Sequence, residues 1–96
     1  LTNARQELLN FLENKPEVVC LTFARLQACW NEGPYTTGTL GEILPLMDFD
    51  YDSGFGTQEL FGTIWFADGS WADRQEYDGS ESWDHQTPPA LPERFR

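Results

Sequence analysis

Apolar residues recur at helical spacing near the start of the chain, where Leu8, Leu9, Phe11 and Leu12 form a one-sided stripe behind Asn3. Asn3 with Gln6 three positions on has the form of a capping box, and Asn14, Lys15 and Pro16 break the stripe, so the spacing predicts a helix over residues 3–14. The next segment, EVVCLTFARLQACW, carries two patterns at once. Val19, Phe23, Leu26 and Trp30 share a helical face with Pro16 placed for a first turn, whereas Val18, Val19, Thr22 and Phe23 gather β-branched and aromatic side chains. The second feature favours a strand over residues 17–25. Residues 31–39, NEGPYTTGT, are turn formers and read as a loop. Thr39 with Glu42 repeats the capping-box signature and opens a short helix near 40–47, with Leu40, Ile43, Leu44 and Met47 on one face and Pro45 limiting its length. Beyond it, Phe49 and Tyr51 alternate with Asp48, Asp50 and Asp52, the period of a half-buried strand over 47–52. Ser53-Gly54-Phe55-Gly56 then turns the chain.

Asp68-Gly69, flanked by ELFGTIWFA and SWADRQEY, predicts a hairpin over about 59–77 with a two-residue type I′ turn. That loop length sets Phe66 opposite Trp71, Ile64 opposite Asp73, Gly62 opposite Gln75 and Leu60 opposite Tyr77, and leaves Phe61, Trp65, Thr63, Arg74 and Glu76 on the other face. Tyr77-Asp78-Gly79-Ser80 has turn chemistry and is followed at once by Trp83. Trp83 either folds back as a lid on the core or, with Tyr77, centres a partner-binding patch rimmed by Asp78, Glu81 and Asp84. His85 reads as a surface residue at the end of the domain. The expected architecture is α+β. A small antiparallel sheet of about four strands, 17–25, 47–52, 59–67 and 70–77, packs against helix 3–14 and the second short helix. Residues 1–87 form a single compact domain and residues 88–96 a proline-rich extended tail.

Composition sharpens this picture. The chain of 96 residues has room for one core, and at 40 % hydrophobic residues it has the material to build one. Sixteen acidic residues against six Lys and Arg give a formal charge of −10. Residues 48–84 hold ten of the acids and a single base, Arg74, interleaved with nine of the fourteen aromatics, so the charge belongs to the folded body. Such a surface disfavours nucleic acid and anionic membranes, whose phosphates call for Lys and Arg, and favours a basic protein partner. No apolar run approaches the roughly 18 residues that span a bilayer, and LTNARQELLNFLE lacks the apolar stretch of a signal peptide, so a soluble, cytoplasmic protein is expected. Cys20 and Cys29 read as reduced, buried residues, and with His85 as the single histidine a zinc site is not expected.

Three constellations suggest other chemistry. Asp48, Asp50, Asp52 and Glu59 fall at positions 1, 3, 5 and 12 of a calcium loop, but Ser53 stands where that loop needs glycine; an acidic strand face explains the same residues. Trp65, Trp71, Tyr77 and Trp83 could stack on sugars, and they are equally the large core residues of a small sheet. Glu76, Asp78, Glu81 and Asp84 could pair as acid and base, yet such pairs arise by chance in so acidic a chain, and Ser80 or Ser82 near His85 lacks the spacing of a nucleophile motif.

The stretch FDYDSGFGTQELFGTIWFADGSWADRQEYDGSESWD resembles small uncharacterised proteins of bacteriophage and bacterial genomes. The resemblance rests on an F-x-Y-D-S-G-aromatic-G run, a D-G-S/T-W turn and a W-x-x-R-x-E-Y-D-G-S-E-x-W ending, over residues 49–83. It implies a phage or prophage origin and no catalytic residue; Ser82 departs from the pattern, where a second tryptophan is expected beside Trp83. The expected function is a non-enzymatic acidic protein-binding module, a phage-type inhibitor or nucleic-acid mimic that occupies a basic site on a host protein. Its partner-binding residues are expected to be Asp48, Asp50, Asp52, Phe61, Trp65, Glu76, Tyr77, Asp78, Glu81, Trp83 and Asp84, with no cofactor and no metal. The alternatives are calcium binding by Asp48–Glu59 and carbohydrate binding.

Overall fold

Asn3 starts the first helix as the pattern requires: its side chain accepts the Gln6 N–H at 2.9 Å, and α1 runs over Ala4–Leu12. The residues before it, Thr2–Asn3 (β1), pair antiparallel with Asp50–Tyr51 (β4). The computed structural model describes residues 1–27, 32–52, 54 and 57–88; Cys29, Trp30 and the tail from residue 89 lie outside the described residues. Val18–Arg25 forms β2, so the β-branched and aromatic signal prevails over the helical one. A bulge between Val18 and Cys20 turns Val19 outward. Thr36–Gly38 adds β3 within the stretch read as a loop. Thr39 and Glu42 complete a capping box around α2 (Leu40–Ile43), and Leu44–Met47 tightens into a short 3-10 helix at Pro45.

Leu60–Phe66 (β5), Trp71–Tyr77 (β6) and Ser80–Gln86 (β7) complete a five-stranded antiparallel sheet in the order β3-β2-β5-β6-β7. The fold is α+β as expected, with a larger sheet. The segment 47–52 does not join it: the 3-10 helix consumes Met47, and the two residues left for a strand belong to the ribbon with β1. β7 adds a strand beyond the expected hairpin, because Asp78 (φ 52°) and Gly79 (φ 85°) form the type I′ turn that pairs Tyr77 with Ser80.

The first Asp-Gly turns differently. Asp68 stays at negative φ, and its carboxylate accepts the Ser70 N–H at 2.9 Å and the Ser70 hydroxyl at 2.5 Å. Phe66 N–H reaches the Ser70 carbonyl at 2.9 Å and only Gly69 is left-handed, at φ 89°, so the loop spans three residues, Ala67 to Gly69. One extra loop residue moves the register by one: Thr63 faces Asp73, Ile64 faces Ala72 and Trp65 faces Trp71. The expected pairing of Phe66 with Trp71 is thereby corrected, and every side chain of β6 changes face.

Both helices cover one face. Leu8 of α1, Ile43 of α2 and Met47 enclose Leu21, Phe23, Leu60, Ile64, Phe66, Ala72 and Trp83 in one core. Gly62 is where that core meets the backbone: a Cβ there would lie 2.4 Å from the Thr22 carbonyl oxygen and 3.1 Å from the Trp83 ring. Among the described residues no helix is long and apolar enough to cross a membrane. Gly62→Ala is expected to lower unfolding stability by about 1–3 kcal/mol. Gly41→Ala, whose added Cβ meets nothing within 4 Å, should leave it unchanged or slightly raised. Urea unfolding of both variants measures the contrast.

Candidate functional site

The second face of the sheet carries neither helix. Across it runs a polar row, one residue from each strand: Thr37, Thr22, Thr63, Asp73 and Asp84. Thr37 donates to Thr22 at 3.0 Å and Thr63 to Asp73 at 2.9 Å. On one side of this row lie Cys20, Trp65, Trp71 and Gln86; on the other lie Ala24, Phe61, Gln75 and Ser82, with Tyr77 beyond. Trp65 is 43 % and Tyr77 85 % exposed, and the Trp71 indole is held by a 3.2 Å bond from Nε1 to Asp73. Gln75, Tyr77, Asp78, Ser80, Ser82 and Asp84 border a shallow depression at the turn end.

The described cations lie elsewhere. Arg5 and Lys15 belong to α1 and its end, Lys15 against the Phe11 ring; Arg25 stacks 3.7 Å over Phe49; Arg74 is buried. Among the described residues, the open face therefore carries carboxylates and aromatics with no Lys or Arg.

The opposite face explains where two expected binding residues went. Arg74 Nη2 donates to Glu81 Oε1 at 2.5 Å and to the Tyr51 hydroxyl at 2.8 Å, and Nη1 donates to Glu7 Oε1 at 3.0 Å. The Tyr51 hydroxyl also donates to Glu7. Pairing of β5 with β6 extends over Thr63–Trp65 and Trp71–Asp73, and beyond it the Glu81 carboxylate accepts the N–H groups of Glu59 at 2.7 Å and Leu60 at 3.1 Å. Trp83 packs on Phe11 and under the guanidinium, 5.1 Å from ring to Arg74 Cζ. Glu81 and Trp83 are each 6 % exposed, so their side chains offer no surface to a partner and Trp83 is a core residue, carried on a strand. Burial by itself would lower the Arg74 pKa, but the charge of Glu7 and the bonds to Glu81 and Tyr51 outweigh it and hold the guanidinium protonated.

The other expected residues separate into two places. Phe61, Trp65, Tyr77, Asp78 and Asp84 share the open face or its turn. Asp48 and Asp50 sit at the β1/β4 ribbon, where both accept from the Asn3 side-chain amide, at 3.1 and 3.2 Å. Asp52 accepts the Gly54 N–H and its own N–H donates to Glu59. Glu76 braces the second turn by accepting the Gly79 N–H at 2.8 Å. Among the described residues no group of three or more His, Cys, Asp or Glu side chains is placed to hold a metal ion. His85 is half-buried rather than a surface residue, its Nε2 2.9 Å from the Ser70 hydroxyl and its ring edge-on to Phe66. Trp71, Asp73, Gln75 and Ser82 were not expected on this face; the second Asp-Gly, at 78–79, was the available signal for β7.

Comparison of the chain with protein-family models, with curated proteins and with solved structures returns no match. The fold and face define an α+β domain whose antiparallel sheet is covered by helices on one side and open on the other.

The buried cluster is expected to be structural. Glu81→Gln leaves the Arg74 charge short of its buried partner and should cost about 3 kcal/mol or more, read by urea unfolding. Burial, with the bond to Glu7, also pushes the Tyr51 hydroxyl above the ordinary value of 10.0. Tyr51 ionises near pH 10 when unfolded but stays protonated when folded, so its contribution is complete below that pH and is lost as pH rises. Tyr35, pushed up to about 12 chiefly by its bond to Glu32, adds to the same slope. In a Tyr35→Phe background, the fall in stability between about pH 9 and 11 should therefore shrink when Tyr51→Phe is added.

Proposed function

We propose that this chain is a non-enzymatic protein-binding module whose open sheet face occupies a basic site on another protein, as an inhibitor that competes there with nucleic acid. The observation that carries this reading is the acidic, aromatic face with no Lys or Arg among its described residues. Asp73 and Asp84 stand directly opposite each other on neighbouring strands, an arrangement that opposes folding and that a cation from a partner would relieve. Trp65 and Tyr77 present rings on which an Arg or Lys side chain can rest. The resemblance of residues 49–83 to small proteins of bacteriophage and bacterial genomes supports a bacterial host as the source of the partner. The adjacent Trp65 and Trp71 favour a second reading, a carbohydrate platform, in which a neutral oligosaccharide binds with little dependence on salt.

The test is capture from bacterial lysate on the immobilised chain at low and at high salt. A basic protein should be retained at low salt and released as screening rises. Trp65→Ala and Tyr77→Ala should each weaken its capture by about 1–2 kcal/mol with the melting midpoint unchanged, and Asp84→Asn should mainly slow association. Capture that is indifferent to all three substitutions, or binding to a glycan array in place of protein, would overturn the proposal.

A further inference from the structure

The two edges of the sheet are built differently. β3 is three residues long and ends at Gly38, too short to template another strand. β7 runs seven residues, pairs with β6 without a bulge, and contains no Pro, Lys or Arg. No described strand lies on its outer side. The hairpin register states which of its peptide groups are free. In a hairpin with a two-residue loop the flanking residues, here Tyr77 and Ser80, exchange hydrogen bonds, and alternation assigns the further bonded pairs to Gln75 with Ser82, Asp73 with Asp84 and Trp71 with Gln86. The N–H and C=O groups of Glu81, Trp83 and His85 therefore point outward.

From this geometry we propose that the sheet continues into a second copy of the chain, the two β7 strands pairing antiparallel about a two-fold axis at Trp83. That axis sets Trp83 against its equivalent and Glu81 against the second copy's His85, so all the outward peptide groups of both strands are used together. The side chains agree. On the open face Ser82 stands opposite the second copy's Asp84 and Ser80 opposite its Gln86, which are donor and acceptor pairs; on the covered face Glu81 and His85 stand opposite each other with their side chains already bonded within their own copy, to Arg74 and to Ser70. No like charges meet. An axis at Glu81 would oppose two carboxylates, and one at His85 would leave the Glu81 peptide groups unpaired within β7. The proposal is independent of the functional reading above, and it places the two open faces side by side as one surface.

Sedimentation velocity at rising concentration should show a reversible dimer. Amide exchange should be slow at Ser82 and Asp84 at every concentration, but slow at Glu81, Trp83 and His85 only where the dimer is populated. Ser82→Lys puts a cation opposite the second copy's Asp84, and Ser82→Asp puts a like charge there. The first should tighten and the second loosen dimerisation by about fivefold, through two symmetric pairs, with both variants folded as judged by their melts. A chain that remains monomeric up to its solubility limit overturns the proposal. So does a dimer that ignores both substitutions while the amides of Glu81, Trp83 and His85 exchange freely.

Discussion

The buried Arg74 guanidinium holds together parts of the chain that are far apart in sequence: Glu7 on α1, Tyr51 on β4 and Glu81 on β7 all bond to it, and Glu81 in turn holds the peptide N–H groups at the start of β5. An ion pair so buried adds little net stability, because taking both charges out of water costs about as much as their attraction returns. Its consequence is register. With Arg74 inside, a slip of one residue along β6 would drive Asp73 or Gln75 into an apolar core and leave Glu81 without its cation. The faces of the last three strands follow from this one placement.

The same placement shapes the surface. Arg74 is the one base within the acidic stretch, and drawing it inward leaves the carboxylates outside with no basic residue from their own stretch beside them. The remaining described cations sit with α1 or on Phe49. Charge is thus segregated by the fold, with a helical side that carries cations and an open sheet side that carries acids and no Lys or Arg among its described residues. Segregation of this kind steers oppositely charged partners more than it stabilises the domain.

Much of the architecture was legible because its signals are local. Asn3, the Thr39 and Glu42 capping box and Pro45 act within one helical turn, and the β-branched cluster at Val18–Phe23 resolves toward a strand once a neighbouring strand exists to pair with it. Both Asp-Gly pairs mark turns. What the local signal could not state was loop length. The Asp68 side chain bonds to Ser70, keeps its own backbone out of the left-handed region and adds one residue to the first loop, whereas Asp78 adopts positive φ and closes the second with two.

The amino-acid sequence by itself determined an α+β domain with an N-terminal helix, a second short helix, a central hairpin and a strongly acidic, aromatic C-terminal half, since periodicity, caps and charge are properties of neighbouring residues. Only the tertiary structure decided which of those acids face water. Glu81 is buried because Arg74 of β6 and the peptide groups of Glu59 and Leu60 at the start of β5 converge on it, and Trp83 is core because Gly62, across the sheet, leaves space for its ring. Asp73 and Trp71 are outside because one loop residue shifted their register. Each outcome depends on contacts between segments that the sequence separates and the sheet brings together.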